Sequence, residues 1–169
     1  MKTYYRANNS ILKVIFQDLY DYCIKNKISL SCAESCTAGL ISSKITSISG
    51  SSEIFKGGII AYQNSIKINQ LNVSQKIINE KTEVSNEVVE QMAYTVRRNF
   101  NSDFSLAISG YAGPTGGTEK NPIGTIFIAI SSKSSTHSKR FQLIGNRDSI
   151  VNQSVIKAVT YLLSELKKR

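Results

Sequence analysis

Five short strand-like runs, four of them followed or preceded by a stretch of helical period, constrain this chain more than any other feature of its 169 residues. The runs are "ISLSCA" (28–33), "GGIIAYQ" (57–63), "FSLAISG" (104–110), "GTIFIAI" (124–130) and "KRFQLI" (139–144). Each has the length and apolar content of a buried or half-buried strand. Between them apolar residues recur every three or four positions. Ile11, Leu12, Ile15, Leu19, Tyr22 and Cys23 predict a helix over roughly 10–26, and a second runs from Thr37 to Ile48. Asn64 can cap a short helix carrying Lys67 and Leu71. Val84, Val88, Met92, Val96 and Phe100 share one face of a longer helix with Ser85 as its cap, and Ile150 to Leu166 form the last. Strands alternating with helices imply an α/β fold, a three-layer α/β/α sandwich. The polar tip "SSKSSTHS" makes the last two strands a hairpin, so the sheet is mixed and mostly parallel. No linker or repeat splits the chain, and residues 1–169 read as a single domain.

Composition removes whole classes of function. No apolar stretch approaches a membrane span, and "MKTYYRANNS" lacks the apolar core of a secretory signal. Three cysteines, an odd number, fit a reducing cytoplasmic setting rather than a disulfide framework. The net charge of +9 is spread along the chain, its densest run being Lys167, Lys168 and Arg169. A solvated basic surface explains it, so neither nucleic acid nor membrane is expected as a partner, although positive potential would speed capture of a phosphorylated small substrate. The single histidine, His137, falls in the polar hairpin tip, which removes a Ser-His-Asp triad. Cys32 and Cys36 have no second cysteine pair and no nearby histidine. No metal and no cofactor is expected.

In open α/β sheets function gathers at loops beyond the strand ends. Three loops qualify, 33–38, 62–67 and 109–118. In the first, "SCAESCTAGL", Ser35 reads either as a nucleophile on a strand-to-helix turn or as the cap of the helix that follows. Cys36 is a rival nucleophile or a small buried residue. The N–H groups of Cys36, Thr37 and Ala38 would point at an oxyanion formed beside Ser35. With histidine excluded, the base for a serine is a lysine. From Ile54 to Asn79 there is no Asp or Glu, and Lys67 lies between isoleucines near a helix N-terminus, so each influence lowers its proton affinity. An exposed surface lysine is the alternative. Tyr62 either relays a proton or packs at a strand end. The third loop, "SGYAGPTGG" (109–117), reads as a ligand cradle or as a tight irregular turn. Together these groups suit acyl transfer, such as amide hydrolysis, on a small anionic substrate.

Two long stretches, "AESCTAGLISSKITSISGSSEIFKGGIIAYQNSIKINQLNV" and "AISGYAGPTGGTEKNPIGTIFIAI", resemble the signature regions of the CinA C-terminal domain family. The resemblance implies a nicotinamide-nucleotide amidohydrolase that converts nicotinamide mononucleotide to nicotinate mononucleotide and ammonia, in pyridine-nucleotide salvage, without a metal. It implies Ser35 as nucleophile, Lys67 and Tyr62 from the Ala-Tyr-x-Asn-x-x-Lys run that also contains Asn64, and oxyanion donors at Thr37 and Ala38. It places the nucleotide against Ser109, Gly110, Gly113, Pro114, Gly116 and Gly117, with Arg147 on the phosphate, and it implies a homodimer. The amino-terminal molybdopterin-binding-like domain of longer relatives has no counterpart in these residues. Ala38, Asn72 and Thr115 stand where the family pattern has glycine, and Asn146 where it has aspartate. Ala38 is expected to narrow the pocket. A silent nucleotide-binding relative and a DNA-associated protein are the competing readings.

Overall fold

The computed structural model describes residues 2–168, with side chains from Ser10 onward. In chain order the elements are α1 (Lys2–Asn26), β1 (Leu30–Glu34), α2 (Leu40–Thr46), β2 (Phe55–Ile60), α3 (Asn64–Leu71), α4 (Gln75–Lys81), α5 (Asn86–Asn99), β3 (Phe104–Gly110), β4 (Thr125–Ser131), β5 (Thr136–Gln142) and α6 (Arg147–Leu166). The strands form one sheet in the order β2-β1-β3-β4-β5. β1 pairs parallel with β2 and β3, whereas β4 runs antiparallel to both β3 and β5. Four of the five strands therefore point the same way, which is the mixed, mostly parallel sheet expected.

The side-chain period of two in each strand divides the sheet into unlike faces. Leu30, Cys32, Phe104, Leu106, Ile108, Ile126, Ile128 and Ile130 point to one side, where α1, α2 and α6 cover them. Ala33, Ala107, Phe127 and Ala129 point to the other, beneath α3, α4 and α5. Small residues on that second face let α5 approach closely, and its Val88, Val89, Met92, Ala93 and Val96 are fully buried. Each of the valines and the methionine contributes about 1.5–3 kcal/mol on burial. The two helical layers and the sheet between them are the three-layer sandwich. The edge strands β2 and β5 hold only half-buried and exposed positions, whereas β1 and β4 are buried throughout.

Several boundaries differ from the sequence reading. Helix α2 begins at Leu40 rather than Thr37, because residues 36–39 form a turn with Ala38 and Gly39 at positive φ. Strand β5 starts at Thr136, so His137 lies within the strand and not in the hairpin tip. The short α4 has too few apolar residues for its period to show. Ser85 caps α5 as expected, its hydroxyl accepting the Val88 N–H, and Asn146 caps α6 by accepting the Ser149 N–H. Asparagine thus supplies the oxygen that an aspartate would. Among the described residues no helix is long and apolar enough to cross a membrane.

Candidate active site

The first strand ends on a buried acid. Glu34 is 1% exposed, and its carboxylate accepts five hydrogen bonds. Oε2 takes them from the Thr37 hydroxyl (2.7 Å), the Gly39 N–H (3.1 Å) and the Ile41 N–H (3.1 Å). Oε1 takes them from the Ser42 N–H (2.8 Å) and the Ser42 hydroxyl (2.6 Å). Glu34 therefore satisfies the orphan donors at the start of α2, where a carboxylate also suits the helix dipole. The N-cap position itself is Gly39, without a side-chain cap. Ser35 is consequently not the cap. Its N–H donates to the Ile108 carbonyl (3.0 Å), and its hydroxyl has no hydrogen-bond partner among the described residues.

Ser35 opens instead onto a cavity of about 240 Å³ at the ends of β1 and β3. Cys36, Tyr62, Lys67, Ser109, Gly110, Gly113 and Arg147 line it as well. The three loops singled out in the sequence thus meet at one place. Thr37, Ala38, Asn64, Pro114, Gly116 and Gly117 are not on its wall. Thr37 is tied to Glu34, and the Ala38 N–H donates to the Ser35 carbonyl (3.1 Å), closing the turn. Of the three donors expected for an oxyanion, Ala38 is already spent, while the N–H groups of Cys36 and Thr37 take part in neither turn nor sheet hydrogen bonding. Ala38 is exposed with φ 49°, so its methyl bears on backbone strain and does not narrow the pocket as expected.

Burial pushes the Cys36 thiol up to about 12, outweighing its own N–H and the cations Lys67 and Arg147, which pull it down. A thiol of that kind stays protonated near neutral pH and is a poor nucleophile. The serine is the better-placed group.

Lys67 is 1% exposed, which removes the surface reading. Gln63, not Asn64, occupies the N-cap position of α3, and Asn64 is the first helical residue. Lys67 Nζ donates to the Glu83 carbonyl (3.1 Å) and to Ser109 Oγ (3.3 Å). The Ser109 hydroxyl donates in turn to the same Glu83 carbonyl (3.1 Å). An ammonium has three donors; two are taken by neutral oxygens and the third is left for the cavity. No carboxylate lies within ion-pair distance of it among the described residues. Burial lowers the proton affinity of Lys67, against the opposing influence of Glu83 and Cys36. The acid-free segment 54–79 concealed Glu83, which tertiary packing brings in from beyond it.

Arg147, the first residue of α6, donates to the Gly113 carbonyl (2.7 Å) and to the Tyr62 hydroxyl (3.0 Å). It joins the glycine-rich loop to the end of β2, has no carboxylate partner among the described residues, and keeps further donors for an anion. Tyr62 is 56% exposed and held by that one contact, so it stands at the mouth rather than in the interior. The loop is both cradle and tight turn. Gly113 needs its positive φ of 78° where it lines the cavity, whereas a Cβ on Gly110 would meet the Thr125 carbonyl at 2.6 Å.

Three side chains that shape the site escaped the sequence reading. Glu34 was legible only as a carboxylate just ahead of a helix start. Glu83 and Tyr111, whose hydroxyl donates to Glu83 Oε1 (3.0 Å), carried no local signal and lie on the cavity wall. Among the described residues no group of three or more His, Cys, Asp or Glu is placed to hold a metal ion.

Comparison with known proteins finds a family model, the CinA C-terminal domain, that matches residues 13–166. The chain is 44% identical over 144 residues to a "CinA-like protein" of Fervidobacterium nodosum, covering 85% of this chain and 35% of that protein. It is 38% identical over 135 residues to a "putative competence-damage inducible protein" of Thermoanaerobacter pseudethanolicus, covering 80% and 33%. The chain spans about a third of the length of these curated relatives. Among solved structures, a CinA superfamily protein from Klebsiella pneumoniae superposes with a TM-score of 0.90 at 25% identity, covering 94% of this chain and 99% of that one. A competence or damage-inducible protein from Enterobacter asburiae gives 0.88 at 28%, covering 92% and 98%.

Proposed function

The chain belongs to the CinA C-terminal domain family, and from that premise we propose that it hydrolyses the carboxamide of nicotinamide mononucleotide through a serine nucleophile and a lysine base. The observation that carries the reading is a buried lysine held, among the described residues, by neutral oxygens, lining one cavity with a serine whose hydroxyl none of those residues engages. A neutral amine at Lys67 accepts the Ser35 proton as Oγ bonds to the carboxamide carbon. The N–H groups of Cys36 and Thr37 stabilise the oxyanion. Lys67 returns the proton to the departing nitrogen, the C–N bond breaks, and ammonia leaves an acyl-serine. Water, activated by the same amine, then cleaves the ester and frees nicotinate mononucleotide.

At about 240 Å³ the cavity is smaller than the roughly 300 Å³ at which pockets for drug-sized ligands begin. It suits the pyridine ring, with ribose and phosphate at the mouth, where Arg147 is exposed and has donors to spare. Tyr62 orients that guanidinium. Phosphate binding remote from the reacting carbon positions the amide for attack.

Ammonia release from nicotinamide mononucleotide by the native chain and by a folded Ser35→Ala variant tests the proposal. Release that the variant abolishes is the expected result. Release that survives moves the chemistry off Ser35, and tight binding without release in the native chain replaces the enzyme with a nucleotide-binding relative.

A further inference from the structure

Glu83 takes part in the site twice. Its backbone carbonyl holds Lys67 and Ser109, a task any residue could perform. Its side chain is a separate matter. It is the one carboxylate on the cavity wall, half-buried, and it enters no ion pair among the described residues. Its only hydrogen bond is from the Tyr111 hydroxyl. Burial, followed by Glu83 itself, raises the Tyr111 phenol, so that phenol keeps its proton and remains a donor.

The wall therefore carries a fixed cation at the mouth, Arg147, and further along an anion without an ion-pair partner among the described residues, Glu83, which the Tyr111 hydroxyl holds. Lys67 Nζ donates to neutral oxygens and lies beyond ion-pair distance of the acid, so it acts on Glu83 only from a distance. A partly desolvated carboxylate open to a cavity attracts an organic cation. An uncharged ring would leave the acid without a partner, at a cost in affinity.

Building on the amidohydrolase reading, we propose that Glu83 is a specificity-determining residue: its carboxylate, held in place by the Tyr111 hydroxyl, receives the cationic end of a dipolar ligand whose anionic end Arg147 holds, so the site selects pyridinium amides over uncharged ones. A nicotinamide ring quaternised at its nitrogen meets this description, and its dihydro form does not.

The test uses two small amides that differ in charge and lack ribose and phosphate, N-methylnicotinamide cation and uncharged nicotinamide. Their affinities for the native chain and for Glu83→Gln are read by NMR titration at low salt. Glutamine keeps an acceptor for Tyr111, and matched melting temperatures check the fold. The native chain should favour the cation about fivefold, the size of a partly exposed charge pair, and Glu83→Gln should bind both alike. Tyr111→Phe, which keeps the carboxylate, should retain the preference. Equal affinities in the native chain, no binding of the cation, or a preference that survives Glu83→Gln would each overturn the assignment. Ammonia release from nicotinamide mononucleotide by the native chain is scored separately. A cation preference without release leaves Glu83 as selector and removes the amidohydrolase, and release without the preference does the reverse.

Discussion

Two buried side chains of opposite charge, Glu34 at the end of β1 and Lys67 within α3, are treated in opposite ways. Each is 1% exposed. Glu34 accepts five hydrogen bonds, three of them from backbone N–H groups of the turn and helix that follow it. Lys67 has two neutral acceptors, one of which is a hydroxyl that shares its own acceptor. The first charge is saturated and has nothing left to give a ligand. The second is held in place but undercompensated, which is the condition that lets a lysine act as a base near neutral pH. Burial alone does not distinguish structure from chemistry here; the number and charge of the partners do.

The largest effect should come from breaking the saturated side. Glu34→Ala leaves the donors at the start of α2 buried without an acceptor, and about 3–5 kcal/mol of unfolding free energy should be lost, the range for opening a buried charged network. Glu34→Gln should lose somewhat less, because one oxygen remains while the new NH₂ faces donors. Denaturant midpoints measure both. Unchanged stability in Glu34→Ala would mean that water replaces the carboxylate, and the contrast with Lys67 would fail.

Lys67→Met should behave in the opposite way. Activity should fall about a hundred- to ten-thousandfold, the range for losing a general base, while stability holds or rises because a buried, poorly compensated ammonium has been replaced by an apolar chain. A variant that unfolds would make Lys67 a structural residue like Glu34. Full activity would sink its role as base.

The same asymmetry sets a pH dependence. Lysine must be neutral to accept the Ser35 proton, so kcat/KM should rise with pH along a limb whose midpoint lies below the ordinary lysine value of 10.5. Stability follows the same sign. The folded chain binds this proton more weakly than the unfolded chain, so folding free energy becomes more favourable as pH rises from the folded pKa toward 10.5. Comparing native and Lys67→Met up to pH 10.5, with the thiols common to both, should show the rise in the first and its loss in the second. A limb that persists in a residually active Lys67→Met would belong to another group.

The layers of the fold were legible because hydrophobic period is a local property. Strand alternation and helical spacing separate Ile108 from Ala107, and Met92 from Glu90, without any knowledge of contacts. The cavity was legible in part for the same reason: loops at strand ends of an α/β sheet converge, which brought Ser35, Tyr62, Lys67 and Ser109 to one wall, whereas Arg147 was signalled by the family resemblance alone. What failed was whatever depended on reach. Nothing local shows that Glu34 folds back on Ile41 and Ser42, so Ser35 was left competing for a cap that the acid already fills. The oxygen that holds Lys67 is a backbone carbonyl, which every residue possesses, and it leaves no trace in composition. Gly116 and Gly117 looked like cradle residues, yet they shape the loop behind the wall.

The smallest effect returns to the turn that Glu34 organises. Ala38 has φ 49° and Asn72 has φ 51°, both in the left-handed region, at two positions where the resemblance leads one to expect glycine. Asparagine tolerates that region and serves as the C-cap of α3. Alanine does not, and the strain amounts to about 1–2 kcal/mol. Ala38→Gly relieves it but adds freedom to the unfolded chain worth about 0.4–1 kcal/mol, leaving a net gain on the order of 0.5 kcal/mol. A slightly higher denaturant midpoint with unaltered ammonia release is the expected result, since Ala38 lies off the cavity and its N–H is already bound to Ser35. Altered release at equal stability would show that the turn, and not Glu34 alone, sets where the Cys36 and Thr37 donors point.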